Sequence, residues 1–473
     1  MMQDVLKKVV EFYSLGIFIY FVLINFTYIF LILISIRRLR KFTQIVNSDV
    51  TSIGEYTIPI TIIVPAYNEE ATIIENILSL LALDYPNYEI VVVNDGSKDN
   101  TLNLIIEHFN LRSIEQEKTS NLKTQDVLGV YSSFELPNLI IVDKLNGGKS
   151  DALNTGINFS KNPLFCAIDA DCVIEKDALL RIIKPFLKYD DMIAVGGMVR
   201  IANGCRIEYS VVCESSLPHR LIEKFQIIEY FRAFLTSRVG WETLNGLLII
   251  SGAFGLFKKS AVLEVGGYTN TIGEDMELTL KLHEHYRKNK KKYKIDFTSD
   301  AVCWTQAPSH FKDLRGQRLR WHRGLADSIL KHKKMMFNPK YGVIGMFSMP
   351  YFFLIELIGP IIEIIGYLVM LISIFTGLIS WFFIFVFAMA YLFGLFFSIS
   401  AVLLEKLSYN SYKKPSETMT LVVLSMVEQV CYRQITVWWR FKSFFNFKKG
   451  SQTWGHIQRR SFRKKSNKKQ LSK

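Results

Sequence analysis

Leu15 to Ile36 carries no charged residue and ends against the cluster Arg37-Arg38-Leu39-Arg40-Lys41. An apolar stretch of that length crosses a hydrocarbon core of about 30 Å as a helix. A cleaved signal would be shorter and would end in small residues, so this segment is expected to stay as an anchor with Arg37 onward cytoplasmic. A second apolar region runs from Val343 to Leu404, where only Glu356 and Glu363 are charged. Ile361 to Ile379 and Trp381 to Leu404 are its expected crossings, and Gly359-Pro360 should break off Val343 to Ile358 as an interfacial helix or part of another crossing. Leu421 to Phe445 contains Glu428, Gln429, Arg433 and Arg440, which suits the interface or a polar path better than lipid. Glu356, Glu363, Glu428 and Arg433 are candidates for lining such a path, the plain alternative being ion pairs.

Between these regions the pattern changes. From Pro59 to about Ser299, apolar runs alternate with amphipathic segments, which implies an α/β domain built on a mostly parallel sheet. Expected strands are Ile60 to Val64, Glu89 to Val93, Asn138 to Val142, Leu164 to Ile168 and Met192 to Val195. Expected helices include Ala71 to Leu81, Thr101 to Phe109 and Ser150 to Phe159. The polar stretch Arg112 to Ser133 reads as a surface loop. The organisation is therefore an anchor over 1–41, a cytosolic domain over 55–330, membrane or interfacial helices over 340–447 and a basic cytoplasmic tail over 448–473.

Composition agrees with a mixed soluble and membrane chain: of 473 residues, 49% are hydrophobic and 21% charged. The net charge of +14 gathers partly at the flanks of apolar segments, which marks cytoplasmic membrane ends and gives no reason to invoke nucleic acid. The cysteines at 166, 172, 205, 213, 303 and 431 form no Cys-x-x-Cys pair. They read as reduced thiols without structural zinc.

In an open parallel sheet, ligands bind beyond the carboxyl ends of the strands. Polar sequences stand at those ends. The first strand runs into Pro65-Ala66-Tyr67-Asn68-Glu69-Glu70, the second into Asn94-Asp95-Gly96-Ser97, the third is followed by Asn146-Gly147-Gly148-Lys149, and the fourth ends in Asp169-Ala170-Asp171. Any one of these reads as a turn; together they describe a nucleotide-diphosphate site. Asp95 is a candidate acceptor from a base or ribose, Tyr67 a packing surface for the base, and Lys149 a cation for phosphate. Asp169 and Asp171, one residue apart on an extended chain, point to the same side. Like charges so close favour a cation between them, and hard oxygen ligands suit Mg2+ or Mn2+. A Walker-type P-loop and a dinucleotide fingerprint are both absent from the sequence.

Further along come Ser251-Gly252-Ala253-Phe254-Gly255, Gly273-Glu274-Asp275 and Gln317-x-x-Arg320-Trp321. In this order, with Pro65-x-Tyr67-Asn68-Glu69, Asn94-Asp95-Gly96-Ser97, Gly147-Gly148-Lys149-x-x-Ala152-Leu153-Asn154 and Asp169-Ala170-Asp171 before them, the chain resembles the processive family 2 glycosyltransferases. These include poly-N-acetylglucosamine, cellulose, hyaluronan and chitin synthases.

The resemblance implies a glycosyltransferase A-type domain between transmembrane helices, with Asp275 as the general base for the acceptor hydroxyl. It implies that Pro65, Tyr67, Glu69, Asp95, Lys149, Asp169, Ser251, Gly252 and Glu274 line the substrate site, and that Asp169 and Asp171 hold the metal. Arg320 would neutralise pyrophosphate and Trp321 would stack the growing sugar, with Gln317 beside them; guanidinium and indole suit those tasks. The implied reaction is a single inverting displacement that joins UDP-glucose or UDP-N-acetylglucosamine to a growing exopolysaccharide. The implied partners are the UDP-sugar, the polymer, the lipid bilayer and, for regulation or export, a separate subunit. The expected location is the plasma membrane, with several crossings and the catalytic domain cytoplasmic. The alternative is a non-processive enzyme placing one sugar on a lipid carrier.

Overall fold

The computed structural model describes residues 2–46, 57–377 and 381–445. The expected basic tail over 448–473 lies outside the described residues. The chain divides into two units. A helical unit takes residues 2–46, 224–248 and 310–445, and an α/β unit takes 57–223 and 249–309. Residues 224–248 and 310–330, inside the segment expected to form the catalytic domain, thus group with the helical unit.

Continuous apolar runs set the middle of the α/β unit. The strands are β1 (Ile60–Ala66), β2 (Tyr88–Asp95), β3 (Arg112–Ser113), β4 (Val127–Ser132), β5 (Leu139–Lys144), β6 (Leu164–Ala167), β7 (Cys172–Ile174), β8 (Met192–Ile201), β9 (Arg206–Glu208), β10 (Val211–Glu214), β11 (Gly255–Lys258) and β12 (Lys294–Thr305). Every residue of β1 is buried, as expected of a strand covered on both faces. β9 and β10 form a hairpin, and the others make one sheet in the order β3-β4-β5-β2-β1-β6-β11-β8-β12-β7. The β5-β2-β1-β6 core is parallel, with Ile62 opposite both Ile90 and Cys166. β11 enters antiparallel between β6 and β8, while β8 and β12 run parallel. The expected mostly parallel sheet is therefore mixed: parallel at its centre, with β11, β4 and β7 reversed.

The helix Lys149–Phe159 packs on this core. A Cβ on Gly156 would come within 2.3 Å of the Ile63 side chain, so only glycine allows that approach. The stretch Arg112 to Ser133, expected as a loop, contains β3 and β4, which extend the sheet, β4 antiparallel to β5 and β3 antiparallel to β4. Its strand signal is weak because β4 is mostly half-exposed, with only the two-residue β3 beyond it, and is broken by a register shift between Val127 and Gly129. Val130 nonetheless joins the core of Val91, Val93, Ile140, Val142 and Phe159.

In the helical unit, Met2–Val46 forms one helix. Leu15, Ile19, Val22, Leu23, Phe26, Phe30 and Leu33 are exposed along it, at steps of three and four that make one face. The opposite side packs inward: Ser35 donates to the Thr236 carbonyl at 2.9 Å, and Leu31 meets Gly240. Leu15–Leu39 and Ile384–Ser408 are long and apolar enough to cross a membrane. Ile344–Leu357 and Gly359–Phe375 form a pair bent by 41°. The bend falls at Gly359-Pro360, where proline lacks the amide hydrogen a continuing helix needs. Leu421 to Phe445 is divided among Pro415–Val427, a π-helical turn Glu428–Tyr432 and Arg433–Phe445. The acidic residues considered for a polar path are ion-paired: Glu428 with Arg232 at 2.5 Å, Glu363 with Arg433 at 2.9 Å and Glu356 with Arg440 at 3.2 Å.

Candidate active site

The ends of β1 and β2 are tied to one another. Asn68 takes the left-handed conformation, its N–H donates to Ser97 Oγ at 3.0 Å, and its Oδ1 accepts from Lys98 N–H at 2.8 Å. This link turns Glu69 inward. It is 3% exposed, its N–H donates to Thr101 Oγ1 at 2.8 Å, and its Oε2 accepts from Thr72 Oγ1 at 3.1 Å. Pro65 is likewise buried within β1, opposite Val93. Both therefore shape the loop instead of presenting side chains to a ligand, whereas Tyr67 is partly exposed beside them.

Asp95 differs most from expectation. Its carboxylate is fully buried and pairs with Lys144 Nζ at 2.6 Å. The N–H groups of Gly147 and Gly148 donate to its two oxygens at 3.0 and 2.8 Å, and Asn146 Nδ2 donates at 3.1 Å. Lys144 also meets Asp151 at 2.7 Å. Asp95 thus holds the glycine loop in place and has no oxygen turned outward for a base or ribose. Lys144 is the residue that reading the motifs missed. It closes the apolar run of β5 and looks like an ordinary polar strand end; its burial depends on Asp95 and Asp151, both distant in sequence.

The loop that Asp95 holds delivers Lys149 to the first turn of its helix. Gly148 has φ 89°, a conformation that suits glycine. Lys149 Nζ meets Asp169 Oδ1 at 2.7 Å and Glu274 Oε1 at 3.0 Å. Burial opposes its charge, but Asp169 and Glu274 outweigh that and hold the ammonium well above the ordinary lysine range. Lys149 is in this structure the cation that gathers the acidic cluster, not one left free for phosphate.

Asp169 and Asp171 are brought together differently from the extended strand the sequence suggested. β6 ends at Ala167, and residues 169–172 turn back into β7, with Cys172 N–H donating to the Asp169 carbonyl at 3.0 Å. The turn places ligand atoms of Asp169, Asp171 and Cys172 within 4.8 Å of one another. Burial, followed by the charge of Asp169, pushes the Asp171 carboxyl up to about 6. Two carboxylates that disfavour each other's charge fit a divalent cation, and their hard oxygens select Mg2+ or Mn2+ over softer ions. Cys172 Sγ instead lies 3.3 Å from Asp171 Oδ1 as a donor.

Glu274 and Asp275 open the helix Glu274–Lys288. Asp275 Oδ2 accepts from Gly252 N–H at 3.2 Å, and Oδ1 accepts from Met276 N–H at 2.7 Å. Gly252 is packed close: a Cβ there would lie 3.0 Å from Lys149 Nζ. Burial raises the Glu274 carboxyl, opposed by Lys149. Ser251 is partly exposed and its carbonyl accepts from Phe254 N–H at 3.1 Å. Lys149, Asp169, Gly252, Glu274 and Asp275, from separated segments, thus form one contiguous cluster. Gln317, Arg320 and Trp321 stand on the helix Phe311–Lys331 of the helical unit, with the indole 48% exposed. Arg318, not singled out by the motif, lies over the Trp321 ring at 4.5 Å.

A mixed α/β sheet with an acidic pair in the turn after a central strand has the fold of GT-A glycosyltransferases. The structure aligns with a solved mannosyltransferase from Pyrobaculum calidifontis in complex with GDP-Man and Mn2+, at TM-score 0.52 and 17% identity, over 88% of this chain and 98% of that one. Residues 61–262 match the glycosyl transferase family 2 profile, and residues 164–399 match that of glycosyl transferase family group 2. The chain belongs to the family 2 glycosyltransferases. It is 32% identical over 273 residues to poly-beta-1,6-N-acetyl-D-glucosamine synthase of Staphylococcus epidermidis, covering 58% of this chain. It is 33% identical over 279 residues to the enzyme of that name from Staphylococcus aureus strain COL, again over 58% of this chain. The chain spans about half the length of the curated relatives it matches, 56% in each case.

Proposed function

We propose that the protein is a membrane-embedded, processive, inverting β-glycosyltransferase that polymerises a UDP-sugar, UDP-N-acetylglucosamine ahead of UDP-glucose, into an exopolysaccharide and exports it. The observation that carries this reading is the cluster in which Asp275, held through Gly252, shares Lys149 with Asp169 and Glu274. A base and a diphosphate-facing acidic pair then lie at one site, as sugar transfer from a nucleotide requires. The choice of N-acetylglucosamine is supported by the names of the Staphylococcus relatives.

In this mechanism Asp275 takes the proton of the acceptor hydroxyl as its oxygen bonds to the anomeric carbon, and the bond to UDP breaks with its electron pair leaving on the diphosphate. The amides of Gly252 and Met276 fix the carboxylate so that its remaining lone pairs face the acceptor. Asp169 and Asp171 would hold Mg2+ or Mn2+, whose chemistry is positive charge beside the donor diphosphate. Tyr67, Ser251 and Gly252 border the donor. By resemblance, Arg320 answers diphosphate charge and Trp321, beside Gln317, carries the terminal sugar. Leu15–Leu39 and Ile384–Ser408 seat the enzyme in the plasma membrane with the catalytic unit cytoplasmic.

Incubating the purified protein in lipid vesicles with radiolabelled UDP-N-acetylglucosamine or UDP-glucose and Mg2+ or Mn2+ tests the reading. High-mass polymer is expected. A lipid-extractable product carrying a single sugar would replace it with the lipid-carrier alternative.

A further inference from the structure

Three segments of the helical unit converge behind Trp321. Arg318 precedes it by one helical turn, the spacing at which side chains meet, and its guanidinium carbon lies 4.5 Å from the centre of the indole. Arg318 is itself 8% exposed. Its Nη2 donates to Glu229 Oε2 at 2.5 Å, and Tyr432 Oη donates to the same oxygen at 2.8 Å. Tyr432 is 3% exposed, and its ring stacks on Phe225 at 5.0 Å between centroids. It ends the π-helical turn Glu428–Tyr432, a local widening of the helix of a kind frequent at functional sites. The chain of contacts thus starts in the buried interior and ends on an aromatic ring that is 48% exposed.

We propose that Tyr432, Glu229 and Arg318 are positioning residues that lock the indole of Trp321 as a platform for the terminal sugar of the polymer acceptor. The proposal rests on the acceptor role given to Trp321 above. Arg318 is suited to the task because a planar guanidinium stacks on an indole with its face while bonding a carboxylate with its edge. Lysine cannot do both. Glu229 fixes the plane of the guanidinium, and Tyr432 fixes Glu229 against rotation. The stretch 421–445 acquires a purpose on this view: through Tyr432 it reaches back to hold the platform.

The test uses the full-length enzyme in vesicles, with a β-1,6-linked N-acetylglucosamine pentasaccharide as acceptor. Tyr432→Phe and Arg318→Lys should each raise the acceptor KM by roughly fivefold to tenfold, the loss of a charge-assisted hydrogen bond, and shorten the polymer. The KM for the UDP-sugar should move less than twofold by the same reasoning. In a Trp321→Ala background the same substitutions should add nothing further to the loss of chain length. Additive losses in that background, or equal increases in both KM values, would overturn the network's positioning role. Unchanged chain length in Trp321→Ala alone would instead overturn the acceptor role of Trp321, which separates failure of the premise from failure of the network.

Discussion

Paired charge is handled in two ways in this protein. In the helical unit several carboxylates each meet a guanidinium: Glu428 with Arg232, Glu229 with Arg318, Glu363 with Arg433 and Glu356 with Arg440. In the α/β unit a single ammonium, Lys149, is shared by Asp169, Glu274 and Asp275, and it also lowers Asp171. Matched pairs are electrically closed and hold side chains and helices in place. A cluster in which carboxylates outnumber the lysine they share keeps negative charge in reserve, and a metal or a proton is what such a site takes up. The Asp95–Lys144–Asp151 group lies between these cases, a buried cluster whose charge is spent on holding the glycine loop.

The largest effect should come from removing charge in the unbalanced cluster. Asp275→Asn is expected to cut polymer synthesis by about 10²- to 10⁴-fold, the usual worth of a general base, with UDP-sugar binding retained. Near-normal yield of labelled polymer would take the base role from Asp275. Asp171→Ala should weaken divalent-cation-dependent donor binding by about 100-fold or more, since even residues behind the ligands are worth 10- to 100-fold. Titration calorimetry with and without EDTA reads this directly, and unchanged metal dependence would remove Asp171 from the site.

The matched pairs should respond in stability. Glu428→Gln leaves the Arg232 guanidinium without its counter-charge, at an expected cost of about 3–5 kcal/mol. Replacing both partners with methionine should recover most of that in thermal unfolding, because two removed charges leave nothing unpaired. If the single and double variants unfold alike, the pair is not closed in the sense drawn above. The smallest effect belongs to Lys176 and Asp84, a pair 3.1 Å apart with side chains 47% and 57% exposed. Asp84→Asn should shift stability by no more than about 1 kcal/mol and leave polymer yield alone.

Chemical character along the chain was enough to locate the core strands, because β1, β2, β5 and β6 are runs of buried apolar residues. It also marked Leu15 to Ile36 as a candidate span, and the helix there is long and apolar enough to cross a membrane. Order carried the family reading: separated motifs in one sequence are hard to produce otherwise. β4 escaped notice because a half-exposed strand with a register shift has neither a full apolar run nor clean alternation.

What folding alone decided is which polar residues face the site. Asp95 and Asp169 look equivalent in sequence, each an aspartate closing an apolar strand. Asp95 is turned inward by Lys144 and two glycine amides, while a turn after β6 leaves Asp169 partly exposed beside Asp171. The same holds for Glu428, an unwelcome charge in an apolar helix until Arg232 meets it. A side chain's chemistry is written in its own residue. Whether its charge is spent or kept depends on partners that only the folded chain brings near, since an ionised group is stable in the interior only when something distant in sequence compensates it.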